Sequence, residues 1–192
     1  MEARPSRRER TKAQNRETIL AAARAVFAQL GFAGATVRDI IRATPLASGT
    51  FYNYFKSKEE VYQALRDELA LAIRPRLREA RLAATTAEEF LVTGFRVFFE
   101  FAAGQHVPAQ AVETSRFRMD SPEVLAGFAE LKADIEDAIA RGVLPVLDAG
   151  LLGGVISGIA FELAEQVKAG RDAEDAARFA TNLLLNGMGK PG

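Results

Sequence analysis

Apolar residues recur with a helical period from about residue 14 to the end of the chain, and no segment alternates convincingly between apolar and polar residues. In the first segment, Ile19, Ala23, Val26, Phe27 and Leu30 would share one face of a helix, which we expect to stop at the glycine that follows Leu30. The pattern therefore predicts an all-α protein with about nine helices.

A chain of 192 residues can form one sizeable domain, or a small domain joined to a medium one. It has no cysteine, which excludes disulfide scaffolds, thiolate metal sites and cysteine nucleophiles. The basic, polar start has no apolar stretch behind it, so no signal peptide is expected, and we find no run of about eighteen apolar residues. These features predict a soluble, cytoplasmic protein.

Charge divides unevenly along a chain whose net charge is zero. Residues 1–60 hold 11 Lys and Arg against 6 Asp and Glu, a balance of +5, and the remainder holds 14 against 19, a balance of −5. Duplex DNA favours local positive charge whatever the net charge of the chain. The split therefore hints at a nucleic-acid-binding amino-terminal region.

Two short helices with a brief turn between them are predicted after the first helix. Thr36 and Asp39 form a capping-box pattern that opens one helix, and Pro45 should end it near Thr44. The second runs from about residue 48 to 55. Braced by longer helices, this pair predicts a helix-turn-helix, whose second helix can enter a major groove.

Side chains on the second short helix separate into two sets. Phe51 and Phe55 should face the core, while hydroxyl and amide groups face outward, where they can reach phosphates or base edges. Ser57 with Glu60 predicts a further capped helix, whose first N–H groups are a candidate phosphate site close to Lys56 and Lys58. The outward set is Ser48, Thr50, Tyr52, Asn53 and Tyr54.

Residues 16–67 resemble the tetracycline-repressor family of regulators. The resemblance depends on Thr-Val-x-x-Ile from residue 36 and on Gly-Thr-x-Tyr-x-Tyr-Phe-x-x-Lys from residue 49. It implies a regulator of transcription that binds double-stranded DNA, usually a repressor relieved by a small ligand. It also implies that Thr36 contacts phosphate, that Thr50 contacts phosphate or base edges, that Gly49 permits close approach, and that Asn53 faces the groove. The residues expected to grip the DNA backbone are Tyr52, Tyr54 and Lys58.

The turn departs from the family pattern. Thr44-Pro45-Leu46-Ala47 stands where relatives usually have Ala-Gly-Val-Ser, and Pro45 cannot adopt the positive φ that glycine allows. Ala47 replaces the usual serine cap, so Ser48 becomes the expected N-cap, which would start the helix one residue late. One hypothesis is an altered operator preference, and the other is a rerouted loop with unchanged docking.

Several of these residues have a second interpretation. Thr36 caps a helix whether or not DNA is bound, and Lys56 and Lys58 could be solvated surface residues. A basic arm precedes the first helix; it could reach a minor groove or form a disordered, solvated tail. The arm carries Arg4, Arg7, Arg8, Arg10, Lys12 and Arg16.

The predicted organisation is a basic arm at 1–14, a three-helix DNA-binding domain at 15–60 with its helix-turn-helix at about 37–56, a linking helix at 61–84, and an effector-binding and dimerisation domain at 85–192. Pro75 should bend or end the linking helix. Thr86 with Glu89, and Ser121 before Pro122, predict later helix starts. Breaks are expected at Gly104, Gly142, Gly150 and Gly170.

The carboxyl-terminal region shows no motif that we can assign. Phe90, Phe95, Phe98, Phe99 and Phe101 occupy more than one helix face, which predicts a helix wrapped on several sides, either as core or as the wall of an apolar cavity. Arg116 and Arg118 could pair with an anionic effector or with nearby acidic residues. The candidate effector-binding residues are Phe95, Phe99, His106, Phe117 and Phe161, with Phe128 as a further ring that could line the cavity.

The last two predicted helices indicate self-association. Small residues in the first of them would let helices approach closely, and the second offers an apolar stripe at Ala176, Phe179, Ala180, Leu183 and Gly187. In a monomer these would be ordinary core, but the resembled family builds a two-fold, four-helix interface from this pair. The candidate interface residues are Gly154, Gly158, Phe179 and Leu183.

An enzyme is the main alternative class. With no cysteine, one histidine, no glycine-rich phosphate loop after a strand and no metal-ligand cluster, we expect neither catalysis nor a metal or cofactor. A ligand-binding protein of the same fold with impaired DNA binding is the second alternative. The prediction is a homodimeric repressor that binds a palindromic operator, is relieved by a largely apolar small molecule, and has no membrane partner.

Overall fold

The computed structural model describes residues 6–104 and 121–187, and in those ranges the chain forms eight α-helices and no strand. The all-α prediction is confirmed, with eight helices in these ranges where about nine were expected. Among the described residues, one compact unit comprises 6–68 and a second comprises 69–104 and 121–187. The helices are α1 (Arg7–Gly34), α2 (Val37–Arg42), α3 (Ser48–Tyr52), α4 (Lys58–Ala83), α5 (Ala87–Ala103), α6 (Pro122–Ala140), α7 (Ala149–Lys168) and α8 (Ala173–Asn186).

Helix α1 begins earlier than a disordered arm would allow. The Ser6 hydroxyl accepts the Glu9 N–H at 3.3 Å, and the Glu9 carboxylate accepts the Ser6 N–H at 2.6 Å, so a capping box starts the helix at Arg7. The tail interpretation is therefore wrong from Arg7 onward, while Arg4 lies outside the described residues. At Gly31 the backbone takes φ of 69°, which breaks the helix where the sequence predicts.

The first unit packs α1, α2, α3 and the start of α4 around one core. Ile19, Phe27, Ile40, Phe51 and Val61 are buried in it. The pair of short helices is therefore held by the apolar faces of the two longer ones, as a helix-turn-helix requires.

Helix α4 continues through Pro75, so of the two predicted outcomes the end of the helix is wrong, and the bend stays a prediction. Within the second unit, Arg74 pairs with Glu130, and Arg81 donates to the buried Asp134 at 3.1 Å. These ion pairs hold the helix on both sides of the proline, and tertiary contacts outweigh the local preference. Burial lowers the pKa of Arg81, an effect that its hydrogen bond to Asp134 opposes.

In the second unit, α5 packs against both α7 and α8. Phe90, Phe95 and Phe99 are buried there, which confirms the prediction of a helix wrapped on several sides. Helices α6 and α7 approach closely at Gly153, where a Cβ would lie 3.7 Å from Ile135 Cδ1.

Local signals set most helix ends in the second unit. Thr86 caps α5 and Ser121 caps α6, as predicted. Gly142 and Gly170 take φ of 73° and 107° just beyond α6 and α7. Gly150 is no break: Asp148 accepts the Leu151 N–H at 2.9 Å and starts α7 ahead of the glycine.

Helix α7 is long and apolar enough on average to cross a membrane by length and composition, although its sequence is not an uninterrupted apolar run. Core helices of water-soluble proteins meet the same criterion, so the feature is weak evidence for a membrane span. About a third of the apolar stretch is buried within the unit. Much of this apolar helix therefore lies at the surface of the unit.

Candidate nucleic-acid interface

Helix α3 ends at Tyr52, three residues before the predicted end at residue 55. The chain then turns, and the N–H groups of Tyr54 and Phe55 donate to the Phe51 carbonyl at 2.9 and 3.0 Å. This turn keeps Phe55 in the core beside Phe51, with ring centroids 6.1 Å apart. The inward face of the second short helix is thus as predicted although the helix is shorter.

The outward side of α3 is polar and accessible. Ser48 and Asn53 are exposed, and Tyr52 is 57% exposed. A Cβ at Gly49 would meet no described atom within 4 Å, so the backbone there is open to close approach. Thr50 and Tyr54 are half-buried. Each candidate residue from 48 to 54 is therefore exposed or half-buried, and none of them is withdrawn into the core.

The turn takes a path that needs no positive φ, as Pro45 demands. The Thr44 hydroxyl donates to the Ile41 carbonyl at 2.9 Å and accepts the Leu46 N–H at 3.2 Å. Leu46 packs against the core. A threonine hydroxyl therefore holds the turn in place of the backbone geometry that glycine would allow.

The prediction that Ser48 caps α3 is wrong. Ala47 is the N-cap, with φ −69° and ψ 151°, and Ser48 is the first helical residue. The Ala47 carbonyl accepts the Thr50 N–H at 2.8 Å, while no side chain caps the helix. The extended conformation of Ala47 starts the helix at this position without a hydroxyl.

Thr36 lies exposed at the N-cap of α2. Its hydroxyl donates to the Asp39 carboxylate at 2.6 Å and accepts the Asp39 N–H at 3.3 Å. The hydrogen bond from the Thr36 hydroxyl is the main cause that lowers the pKa of Asp39. Capping of α2 accounts for this threonine, and its predicted phosphate contact stays a prediction.

Lys58 occupies a place that the sequence pattern did not indicate. Its ammonium group donates to the carbonyls of Phe32, Ala33 and Ala35 at 2.8, 3.3 and 2.9 Å, just past the break in α1. It also lies 4.7 Å from the centroid of the Phe32 ring. All three N–H bonds of the ammonium thus have carbonyl partners, which makes Lys58 a cap for the end of α1.

The start of α4 differs in detail from the predicted phosphate site. Ser57 accepts the Glu60 N–H at 3.3 Å, but the Glu60 carboxylate accepts the Lys56 N–H at 2.7 Å. Glu59 and Glu60 are exposed in the first turn. Two carboxylates beside these N–H groups disfavour a phosphate there.

The candidate effector residues fall in different environments. Phe95 and Phe99 are 3% and 0% exposed, stacked in the core with centroids 5.7 Å apart. Phe161 is 39% exposed and lines a groove of about 520 Å³ between α6 and α7, together with Phe128 and Lys132. His106, Arg116, Phe117 and Arg118 lie outside the described residues.

The candidate dimer residues are largely accessible. Gly154 and Gly158 are exposed, a Cβ added at either would meet no described atom within 4 Å, and Phe179 is 61% exposed. Leu183 is half-buried. Of the predicted stripe on α8, Ala176 and Ala180 are buried within the unit, as the ordinary-core alternative expects. Sequence reasoning missed Leu151 and Val155, which are exposed on α7.

Residues 19–65 match the family model described as bacterial regulatory proteins, tetR family. The chain is 31% identical over 180 residues to the HTH-type transcriptional regulator UidR of Escherichia coli strain K12, covering 89% of each protein. It is 30% identical over 125 residues to the HTH-type transcriptional repressor AcnR of Corynebacterium efficiens, covering 65% of this chain and 62% of that protein.

A solved structure supports the same fold. The transcriptional regulator FadR from Bacillus subtilis, in complex with stearoyl-CoA, aligns with a TM-score of 0.73 at 24% identity, over 90% of this chain and 99% of that one. The helix-turn-helix geometry, the family model and the relatives agree. The chain therefore belongs to the tetR family of bacterial regulatory proteins and is a DNA-binding regulator of transcription.

Proposed function

We propose that this regulator is a repressor, that it acts as a homodimer on a palindromic operator, which it contacts through the outward face of α3, and that a largely apolar ligand releases it. The observation that carries the proposal is the two-sided geometry of α3. Phe51 is packed into the core while Ser48, Tyr52 and Asn53 stand in solvent. A short helix held rigidly by its apolar face can present polar groups to base edges.

Each polar residue then has a role. We assign Asn53 to base edges, because its amide can both donate and accept, and Ser48, Thr50 and Tyr52 to phosphates or base edges. Gly49 allows close approach of the backbone. Thr36 and Tyr54 serve as phosphate contacts beside α3. For Lys58 we propose a positioning role, since its ammonium group is occupied by carbonyls.

The dimer interface is proposed on the exposed sides of α7 and α8. Leu151, Val155 and Phe179 are at least half exposed there, beside Gly154 and Gly158, whose lack of side chains lets a second helix approach. Large exposed apolar patches mark interaction sites. A two-fold axis would place two copies of α3 on half-sites about 34 to 36 Å apart.

The groove between α6 and α7 is the proposed effector site among the described residues. Its volume of about 520 Å³ suits a small molecule, and the aromatic rings of Phe128 and Phe161 favour an apolar one. Gly154 and Gly158 line it as well, so ligand binding and dimerisation share residues and must be measured separately.

The cellular setting follows from the function. We propose that the protein acts in the cytoplasm, where its DNA is, and that it binds and releases DNA without catalysing a reaction. The family is one of DNA-binding regulators, which supports this assignment.

DNA binding is tested by titrating the full chain into labelled fragments from the region upstream of its own gene. We expect one fragment to be retained, and Asn53→Ala to lose the preference for it while keeping its affinity for unrelated duplex. Retention of no fragment at low salt, where phosphate contacts are strongest, would refute the DNA-binding role. If an apolar ligand still raised the melting temperature of such a protein, the ligand-binding alternative would replace it.

The dimer is tested by light scattering on Phe179→Glu. We expect the mass to fall from two chains to one, because a buried unpaired charge is costly. Val146→Glu is the matched control, since Val146 is exposed in the loop before α7 and is not one of the proposed interface residues. Equal behaviour of both variants would exclude this interface.

A further inference from the structure

The first two turns of α1 carry four exposed cations that pair with no described carboxylate. The side chains of Arg7, Arg8, Arg10 and Lys12 make no ion pair with any residue in the ranges 6–104 and 121–187. Farther along α1 the pattern reverses, because Arg16 and Arg24 both pair with Glu68. Within these ranges, the unneutralised charge of α1 is thus concentrated at the beginning of the helix.

This charge opposes the electrostatics of the helix that carries it. The amino-terminal end of a helix dipole is positive, so cations in the first turn destabilise the helix. The effect has the same size, a fraction of a kcal/mol, as the stabilisation by anions at that end. Arg8 and Lys12, one turn apart, also repel each other. Glu9 is the acidic residue of the first turn, and the capping box occupies it. Helix stability therefore does not explain this cluster.

A cleft joins these cations to the recognition surface within the first unit. It has a volume of about 570 Å³ and is lined by Arg7, Arg8, Glu9, Thr11 and Lys12 of α1 together with Tyr54. Tyr54 lies two residues beyond the end of α3. The cationic face of α1 and the half-buried tyrosine that follows the recognition helix therefore share one surface depression.

We infer that this cleft is a second DNA-backbone site, in which Arg8, Lys12 and the Tyr54 hydroxyl bind a phosphate of the duplex outside the bases that α3 contacts. The inference rests on the proposed DNA-binding function. Duplex DNA is the favoured anion because Tyr54 places the cleft beside Asn53 and Tyr52, the groups proposed to meet it. The amino-terminal turns of α1 thereby add to affinity without adding base preference.

Helix geometry supplies a matched control. At about 100° per residue, Arg8 and Lys12 share one face of α1, whereas Arg10 lies roughly 200° from each, on the opposite face. Arg10 does not line the cleft. Arg10→Ala thus removes the same charge from the same helix turns while leaving the cleft intact.

The test measures binding of the full chain to a fluorescently labelled, mixed-sequence duplex by anisotropy, between about 50 and 200 mM salt. We expect Arg8→Ala and Lys12→Ala each to reduce the slope of log affinity against log salt by about 0.9. Arg10→Ala should leave the slope unchanged. Tyr54→Phe should weaken binding at every salt concentration with the wild-type slope, because it removes a hydrogen bond and no charge.

The possible outcomes distinguish a failure of the proposed cleft from a failure of the proposed DNA binding. Failure of the wild-type chain to bind duplex would refute the DNA-binding role itself. Wild-type binding with unchanged slopes in Arg8→Ala and Lys12→Ala would overturn the cleft alone. Equal losses in all three alanine variants would also overturn it, since long-range attraction would suffice. Inorganic phosphate could also compete with the duplex at constant ionic strength. If it did so with the wild type and not with Lys12→Ala, the ligand of the cleft would be a free anion and not DNA. Unfolding curves check that the variants fold. The alanine variants should be at least as stable as the wild type, because they remove cations that the helix dipole disfavours.

Discussion

Replacing Lys58 by methionine tests the cap at the end of α1. The substitution keeps an apolar stem of similar length and removes the ammonium group that donates to Phe32, Ala33 and Ala35. We expect the first unit to lose stability, because these carbonyls lie at a helix break where no amide N–H of the helix reaches them. Lys58, which the family pattern assigns to the DNA backbone, would then support DNA binding mainly by stabilising the fold.

The size of the loss follows from the geometry. The bonds to Phe32 and Ala35 are short and part-buried, and a hydrogen bond to a charged donor contributes roughly 1.5–3 kcal/mol. The third carbonyl is exposed and can bind water instead. Since water also reaches Lys58 in part, we expect a net loss of about 2–3 kcal/mol, including roughly 0.5 kcal/mol from the cation–π contact with Phe32.

Tyrosine fluorescence isolates the relevant unit. The chain has three tyrosines and no tryptophan, and Tyr52, Tyr54 and Tyr62 all lie in the first unit. Urea unfolding followed at the tyrosine signal therefore reports this unit. With a slope of about 1 kcal/mol/M, typical of a small domain, the midpoint should fall by about 2–3 M.

Lys56→Met is the matched control, because Lys56 is exposed and its backbone N–H keeps its bond to Glu60 in the variant. The control should unfold as the wild type does. A Lys58→Met protein with wild-type stability and a salt slope reduced by about 0.9 would refute the reasoning and return Lys58 to the phosphate contacts.

Three further perturbations follow from the same structure. Asp134→Ala should destabilise the second unit by about 3–5 kcal/mol, measured by unfolding followed with far-UV circular dichroism. Adding Arg81→Met should restore part of this loss, because an unpaired buried charge costs more stability than the absence of the whole pair. A double variant as unstable as Asp134→Ala would contradict the buried-pair argument. Thr44→Val should lower the free energy of unfolding of the first unit by about 1–2 kcal/mol in the tyrosine-detected transition, whereas Thr44→Ser should retain it. A valine variant with wild-type stability would show that the hydroxyl does not hold the turn. The pKa of Asp39 is lowered by its bonds to Thr36, so its stabilisation is present above the ordinary value of 3.8 and is lost as pH falls through the depressed pKa. The urea midpoint should therefore fall less between about pH 5 and pH 2 in Asp39→Asn than in the wild type, and equal falls would exclude Asp39 as a cause.

The helix boundaries show where sequence reasoning succeeds. Gly31, Thr36 with Asp39, and Ser121 act through atoms within four residues of themselves, so their effects can be predicted from a short stretch of sequence. The missed boundaries have the opposite character. Pro75 stays inside α4 because distant carboxylates hold the arginines around it, and Ala47 caps α3 because the turn before it is held by Thr44.

The sequence by itself determined the all-α class, the helix-turn-helix and the polar face of its second helix, because periodicity, capping and the family pattern are local properties of the chain. Tertiary structure decided that Lys58 caps α1, through bonds to carbonyls 23 to 26 residues away. It also decided that the cations of α1 and Tyr54 line one cleft, and that Phe161 is exposed while Phe95 and Phe99 are buried. Such contacts depend on which helix faces meet, and that depends on the packing of the whole unit.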